Sequence, residues 1–470
     1  MSNAKNLIVL GAGPGGYAAA FLAADLGMNV TLIGKEENPG GVCLYKGCIP
    51  SKAYLHVAKL IAEAEQAKNF GVTFSKPKID PKKLTAYKNK VVKNLTGGLG
   101  QLSRQRKINY IKGEAKFTGN NEIEVVSGGA MRKLTFENII IAAGSHPATI
   151  PGFNESKDIL DSTTALDIDR IPKSMLVIGG GYIGLELGSV YASIGTKVSV
   201  VEMLPYILNG ADRDLVAILT KNISGKFDEI MTNTRVAGVN KEKSVLKVTF
   251  ESKDGKRTIK QYEKILVSVG RKPNSQFIGI ENTGIETDNK GFIKVNEQQA
   301  TSVKGIYAIG DICGEPMLAH KASHEARVAV EVIAGNKAAF EPACIPAVVF
   351  TDPEIAWAGL TQDQAKQNGI EIEVVKFPWA ASGRAMSIDR TDGLTKIIID
   401  PKTERLLGVG IAGYGAGELI SEAVLAIEMG ATATDIKMSI HPHPTLSETF
   451  MEAAEIFFGQ STHIYRPKKK

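Results

Sequence analysis

The sequence predicts an α/β protein with two Rossmann-like dinucleotide-binding domains and a C-terminal α+β domain. Three observations carry this. A glycine turn, Gly11-x-Gly13-x-x-Gly16, stands between an apolar run and an alanine-rich stretch. The pattern returns as Gly179-x-Gly181-x-x-Gly184, about 170 residues further on. From about Ile345, short strand-like runs mix with helical ones. The chain of 470 residues is also too long for one core, since single cores stop growing near roughly 250–300 residues.

The elements follow in order. Leu7-Ile8-Val9-Leu10 is continuously apolar, as a strand buried on both faces must be. A helix runs to about Gly27, and Val30-Thr31-Leu32-Ile33 forms the next strand. Residues 51–68 and 81–106 read as helices, and residues 121–136 alternate like a strand pair. Two apolar strands end in glycine, at Gly144 and Gly270. The second βαβ unit runs from Met175-Leu176-Val177-Ile178 to Val198-Ser199-Val200-Val201-Glu202. Beyond it, strands are expected near 346–350, 371–376, 395–399 and 407–413, with a helix near 416–429. The expected domains are 1–149 with 273–344, 150–272, and 345–470.

Composition excludes several classes. Hydrophobic residues at 43% and charged residues at 23% suit a soluble globular protein. A net charge of +6 from 56 basic and 50 acidic residues is too mild to imply a nucleic-acid partner. The basic tail from Arg466 to Lys470 reads as a solvated terminus, and Ser2-Asn3-Ala4 as an expression scar. No apolar stretch reaches the roughly 18 residues that span a membrane. The N-terminal apolar run is cut by glycines and is no signal peptide, so a cytoplasmic protein is expected. Four cysteines are too few for a secreted disulfide scaffold and are not spaced for a metal.

The glycine turns have a physical reading. In each, the first glycine makes the tight turn, the second lets a pyrophosphate reach the backbone, and the third lets helix and strand pack closely. The helix N-terminus then favours the phosphate charge. Glu202 closes the strand after the second turn, 23 residues beyond Gly179. A carboxylate there accepts hydrogen bonds from a ribose 2′-hydroxyl and repels a 2′-phosphate. No arginine lies between Glu202 and Ala211, which favours NAD over NADP. The same offset from Gly11 falls on Gly34, so Glu36, Glu37 or backbone must serve the first ribose.

Cys43-Leu44-Tyr45-Lys46-Gly47-Cys48 is the most telling segment. Residues five apart on a straight helix rise about 7.5 Å, beyond the roughly 4.4–6.8 Å between bridged Cα atoms. A bridge needs a distorted turn, which Gly47 permits. Two unpaired thiols at a helix start are an equal alternative on the residues alone. A strained bridge near a helix N-terminus would be reducible.

The run Gly40-Gly41-Val42-Cys43-(x4)-Cys48-Ile49-Pro50-Ser51-Lys52 resembles the redox-active signature of the pyridine nucleotide–disulfide oxidoreductases. The resemblance covers essentially the whole chain. It includes Gly310-Asp311-Ile312-Cys313 and the ending His441-Pro442-His443-Pro444-Thr445-Leu446-Ser447-Glu448. Within the family, these strings look most like the members that oxidise protein-bound dihydrolipoamide with NAD⁺. The resemblance implies FAD and NAD as cofactors and no metal. It makes Cys43 the interchange thiol and Cys48 the thiolate beside the flavin. Lys52 and Glu186 would be a buried ion pair near the flavin, and His443 the acid/base, oriented by Glu448.

For FAD, the matching positions are Gly11, Gly13, Gly16, Glu36, Gly41, Val42, Lys52, Ala115 and Gly144, with Asp311, Leu318 and Ala319. For NAD they are Gly179, Gly181, Tyr182, Ile183, Gly184, Glu202, Val236, Gly270 and Arg271. The last domain would serve dimerisation, with His443 reaching the other copy's cysteines in a homodimer. No lipoyl-like segment precedes the first strand. The partner that the resemblance implies is a lipoyl-bearing acyltransferase of a 2-oxo acid dehydrogenase complex, or a glycine cleavage carrier. His441, His320 and His324 read as surface or satisfied core residues, and Cys313 and Cys344 as structural. Gly34, Ala143 and the stretch Ala412 to Glu418 depart from the family's pattern. A glutathione-type reductase, a mercuric-type reductase and a non-catalytic assembly subunit are the rival readings. Glu202, the absence of a late cysteine pair and the intact site residues weigh against each in turn.

Overall fold

A computed structural model describes residues 5–153 and 156–465 of the chain. Ser2-Asn3-Ala4 and the tail from Arg466 lie outside the described residues. In chain order the first stretch is β1 (Asn6–Leu10), α1 (Pro14–Asp25), β2 (Asn29–Gly34), α2 (Gly41–Lys46), α3 (Cys48–Gln66) and α4 (Pro81–Gln105). It continues through β3 (Asn109–Lys112), β4 (Glu114–Gly119), β5 (Glu122–Ser127), β6 (Ala130–Thr135), β7 (Asn138–Ile141) and β8 (Ser145–Pro147). Next come β9 (Ile159–Leu160), β10 (Ser174–Ile178), α5 (Tyr182–Ser193), β11 (Lys197–Val201), α6 (Arg213–Ile223) and β12 (Glu229–Met231). Then follow β13 (Thr234–Glu242), β14 (Val245–Ser252), β15 (Arg257–Tyr262), β16 (Lys264–Val267), β17 (Arg271–Pro273), β18 (Ile306–Ala308) and α7 (Ala319–Ala334).

The first sheet is parallel, in the order β18-β7-β1-β2-β3. Its strands are largely apolar because both faces are covered, one by α1 and α7 and the other by the small sheet that contains β4 and β5, and Val9, Leu32 and Ile140 are fully buried. The second sheet, β12-β11-β10-β16-β9, repeats the design. Strand β18 lies far along the chain yet pairs with β7, so the chain leaves the first sheet, builds the second, and returns. The outgoing and returning segments pair as an antiparallel ribbon of β8 with β17. Strands β4, β5 and β6 form one small antiparallel sheet and β13, β14 and β15 another. The alternation at 121–136 foreshadowed β5 and β6, but β4 and the whole β13–β15 sheet are additions to the reading from sequence.

The remaining elements are β19 (Ala347–Val349), β20 (Glu354–Gly359), α8 (Gln362–Asn368), β21 (Glu373–Pro378), α9 (Gly383–Ser387), β22 (Leu394–Ile399), β23 (Leu406–Gly413), α10 (Ala416–Glu428), α11 (Ala433–Met438) and α12 (Glu448–Phe457). The sheet β19-β20-β23-β22-β21 is antiparallel. Helix α10 packs on it with the buried face Ile420, Ala423 and Ile427, and α12 adds Phe450, Ala453 and Ile456.

One buried ion cluster ties this sheet to the second Rossmann unit. Lys396, in the middle of β22, is fully buried and lies 2.5 Å from Asp212 and 2.8 Å from Asp214 at the start of α6. Asp212 also accepts the Gln362 N–H that opens α8, at 3.0 Å. Removing one partner from such a cluster leaves buried charge uncompensated, at a cost of about 3–5 kcal/mol. Lys396→Met is therefore expected to lower the denaturation midpoint sharply in a urea titration. The double variant with Asp212→Asn should recover part of the loss; no loss in the single variant would show that water reaches the site.

Candidate active site

Helix α2 ends at Lys46 and α3 begins at Cys48, with Gly47 at φ −150° and ψ −109° between them. That break is the distortion the cysteine spacing demands, because a straight helix would hold the two sulfurs too far apart. No bridge joins Cys43 and Cys48 here, and each is the first influence on the other's ionisation. Their mutual interaction pushes the Cys43 thiol up and brings Cys48 down to about 7, with desolvation opposing and Lys52 helping the drop at Cys48. The pair thus holds one proton on Cys43 and favours a thiolate at Cys48.

Lys52 lies one helical turn beyond Cys48, where the 3.6-residue period stacks side chains on one face. Its Nζ is 2.8 Å from Glu186 on α5, whose side chain is almost wholly buried. The other Glu186 oxygen accepts the Phe350 N–H at 2.9 Å, just after β19. Three separate parts of the chain therefore meet at this carboxylate. Sequence reasoning found the lysine and the glutamate but not Phe350, whose backbone donor leaves no signal in residue type. Lys52→Met is expected to raise the Cys48 thiol from about 7, leaving well under half of it ionised at neutral pH. The pH dependence of thiolate absorbance in the reduced protein measures this; an unmoved midpoint would show that Lys52 does not set it.

The first glycine turn is built as its sequence demands. Gly11 has φ +107°, and a Cβ on Gly16 would sit 1.8 Å from the Gly11 carbonyl oxygen. A Cβ on Gly41 would strike the Gly13 Cα at 2.4 Å. The two backbones therefore pack directly against each other at the α1 N-terminus, beside Val42. This cradle fits a pyrophosphate. At Gly34, a side chain would collide with Ala12 and with the Tyr110 hydroxyl, which donates to the Glu36 carbonyl at 2.8 Å. Tyr110 thus explains the missing carboxylate. Glu36 and Glu37 are engaged with Lys46 and Lys112, at 2.7 and 2.8 Å. Ala115 lies on β4, buried in the core at the end of the first sheet.

Asp311 sits in a short turn before α7, whose start is Leu318-Ala319. It accepts the Ser145 hydroxyl at 2.5 Å, and Arg271 Nε donates to that same oxygen at 2.7 Å. Ser145 directly follows Gly144 and was not singled out from sequence. Tyr182, at the start of α5, is exposed, and the charges of Arg271, Glu186, Cys48 and Asp311 all reach its phenol. The two nucleotide units thus converge on the cysteines.

The second glycine turn is strapped by Glu202, whose carboxylate accepts the Gly180 N–H at 2.7 Å and the Leu204 N–H at 2.8 Å. Each oxygen keeps a further lone pair for a ribose hydroxyl. Gly181, Ile183 and Gly184 lie on the same turn and helix start, Val236 on β13 and Gly270 where the chain leaves the sheet. The structure adds cations that the local stretch did not show. Arg235 and Lys253 line a cleft of about 230 Å³ with Met203. Arg235 is engaged with Glu251 at 2.5 Å.

His443 is exposed, and its Nδ1 is 2.9 Å from Glu448 at the start of α12. Burial alone would raise the Glu448 carboxyl; the Thr445 N–H at 2.8 Å and the His443 bond overcome it and hold the group below its ordinary value. A carboxylate so fixed sets the imidazole tautomer and leaves Nε2 to exchange protons. His441 is not a free surface residue, because Glu422 binds it at 2.7 Å in a nearly buried position. His320 is satisfied by the Pro346 carbonyl at 2.8 Å. Among the described residues no cluster of histidine, cysteine and carboxylate groups is arranged for a metal.

Comparison with known proteins agrees with this geometry. Residues 5–326 match the pyridine nucleotide-disulphide oxidoreductase family, and residues 345–454 match its dimerisation domain. The dihydrolipoyl dehydrogenase of Vibrio cholerae is 47% identical over 99% of this chain and 98% of its own. That of Geobacillus stearothermophilus is 46% identical over 97% of each chain. The crystal structure of LpdA from Mycobacterium tuberculosis shares the fold, with a TM-score of 0.89 at 24% identity over 96% of this chain and 99% of that one.

Proposed function

The chain belongs to the pyridine nucleotide-disulphide oxidoreductase family, and from that premise we propose that it oxidises protein-bound dihydrolipoamide with NAD⁺. The products are lipoamide, NADH and a proton. The observation that carries the reading is the cysteine pair across the Gly47 break, with Cys48 biased to thiolate above Lys52. Full-length relatives at 46–47% identity bear the name dihydrolipoyl dehydrogenase.

The enzyme uses FAD and NAD. The first glycine cradle, Lys52 and Asp311 would hold FAD, which supplies a two-electron relay between dithiol and nicotinamide. The second glycine turn, Glu202 and Gly270 would hold NAD. The working cycle begins with Cys43 and Cys48 bridged. His443 takes a proton from one lipoyl thiol, and the resulting thiolate attacks the Cys43 sulfur. The Cys43–Cys48 bond breaks and Cys48 leaves as thiolate, the form its surroundings favour. The second lipoyl sulfur then attacks the first and closes the lipoamide ring, its proton passing to the departing Cys43 sulfur, so that Cys43 is released as a thiol while His443 keeps the first proton.

His443 is bonded to Glu448 within one chain, and we place it across a homodimer, over the other copy's cysteines. The substrate arrives on a lipoyl-bearing acyltransferase of a 2-oxo acid dehydrogenase complex, or on a glycine cleavage carrier. Among the described residues no helix is long and apolar enough to cross a membrane, and a cycling thiol pair suits the reducing cytoplasm.

The test is a visible spectrum of the purified protein with an assay of NAD⁺ reduction by dihydrolipoamide. NADP⁺ and glutathione serve as controls. Bound flavin, a long-wavelength charge-transfer band on reduction and NAD⁺-selective lipoamide turnover are expected. Flavin without lipoamide turnover, or preference for NADP⁺, would move the function to a sister reductase.

A further inference from the structure

We infer that Arg271 is a positioning residue for the flavin: it acts through the Ser145 hydroxyl to orient Asp311. The inference rests on the reading above that Asp311 contacts FAD. Arg271 matches a position assigned to the nicotinamide nucleotide, yet its side chain turns to the other unit. Its Nε donates to the Ser145 Oγ at 2.7 Å, and a terminal nitrogen donates to the Ser145 carbonyl at 2.8 Å. Ser145 is almost fully buried, and its hydroxyl donates to the Asp311 carboxylate at 2.5 Å. A buried hydroxyl between a guanidinium and a carboxylate is polarised from both ends, so each bond strengthens the other.

The placement makes this relay a link between domains. Arg271 opens β17 directly after Gly270, where the chain leaves the second Rossmann sheet. Ser145 opens β8 directly after the first sheet's β7 and Gly144. The antiparallel pairing of β8 with β17 therefore joins the two units, and the relay crosses it diagonally, since Ser145 stands opposite Pro273 and Arg271 opposite Pro147. The Asp311 turn is fixed from the other side as well. Glu325 of α7 accepts the Gly310 N–H at 2.6 Å, and Lys321 holds Glu325 at 2.6 Å. The backbone of the turn is set by α7, whereas the direction of the Asp311 side chain is set by Ser145 and, behind it, Arg271.

The experiment is a double-mutant cycle on FAD affinity, titrating the apoprotein by flavin fluorescence. Arg271→Met and Ser145→Ala are each expected to weaken FAD about tenfold, which corresponds to about 1.4 kcal/mol. The double variant should be no weaker than either single one, because both break the same relay. Arg271→Lys, which keeps the charge and one donor, should recover part of the affinity. A residue that served only the fold would show independent losses and no such recovery. Unchanged affinity in Arg271→Met, or losses that multiply to about a hundredfold, would overturn the relay. Asp311→Asn is the separating control. If it binds FAD like the unaltered protein, the Asp311 reading falls and the relay falls with it. If it loses FAD while Arg271→Met does not, only the relay falls.

Discussion

Cys48→Ser is expected to reduce dihydrolipoamide-dependent formation of NADH to background. Serine cannot form the bridge to Cys43, so the protein loses the group that accepts two electrons from the dithiol. The loss is not one of degree, because no other described thiol is placed to substitute. Cys313 is half-buried and desolvation holds its thiol well above its ordinary value, and Cys344 is buried. The flavin cradle of Gly11, Gly13 and Gly41 does not involve the Cys48 sulfur, so FAD should stay bound and remain reducible by NADH. Cys43→Ser is the informative companion. It too should lose lipoamide turnover, but it keeps the Cys48 thiolate beside Lys52 and so should keep the long-wavelength band. Cys48→Ser should lose that band. Near-normal turnover in Cys48→Ser, or a band that survives it, would sink the assignment of the two sulfurs.

Signals that lie within a few residues were legible in the sequence. The glycine turns declare themselves because Gly11, Gly16 and Gly41 sit where any Cβ collides with backbone. Strands β1, β7, β10 and β16 are apolar on both faces and so read as buried parallel strands. Helix rise and bridge length asked for a break between Cys43 and Cys48 only if the two pair, and the residues alone left two unpaired thiols equally open. What stayed hidden depends on long-range contact. Ser145 and Asp311 are 166 positions apart, and Phe350 and Glu186 are 164 apart. Their pairing leaves no periodicity to read. The β13–β15 sheet was missed although β14 alternates as a half-buried strand does, with Leu246, Val248 and Phe250 inward; its neighbours β13 and β15 are largely exposed, β15 burying only Tyr262. Gly34 was visible as a departure, but its cause, the Tyr110 hydroxyl, comes from the neighbouring strand β3.

His443→Gln is expected to lower kcat/KM for dihydrolipoamide by about 10²–10⁴-fold, the usual share of a positioned general base. Glutamine preserves size and a hydrogen-bonding group facing Glu448 but cannot take the thiol proton. The defect should be confined to the dithiol half of the cycle, so reduction of the bound flavin by NADH should proceed as in the unaltered enzyme. It should also shrink as pH rises. A free thiol ionises near a pKa of about 8.5, and a substrate that is already thiolate needs no base. Glu448→Gln should give the same pattern in weaker form, since the imidazole keeps its place but loses the carboxylate that fixes its tautomer. The location of His443 has its own test. In a homodimer each site would join the cysteines of one copy to His443 of the other. Inactive Cys43→Ser and His443→Gln subunits, mixed equally, should then regain about a quarter of full activity, through the one complete site of each mixed dimer. If each copy were self-contained, no mixture would recover anything, and the exposed His443–Glu448 pair would have to reach Cys43 within its own chain.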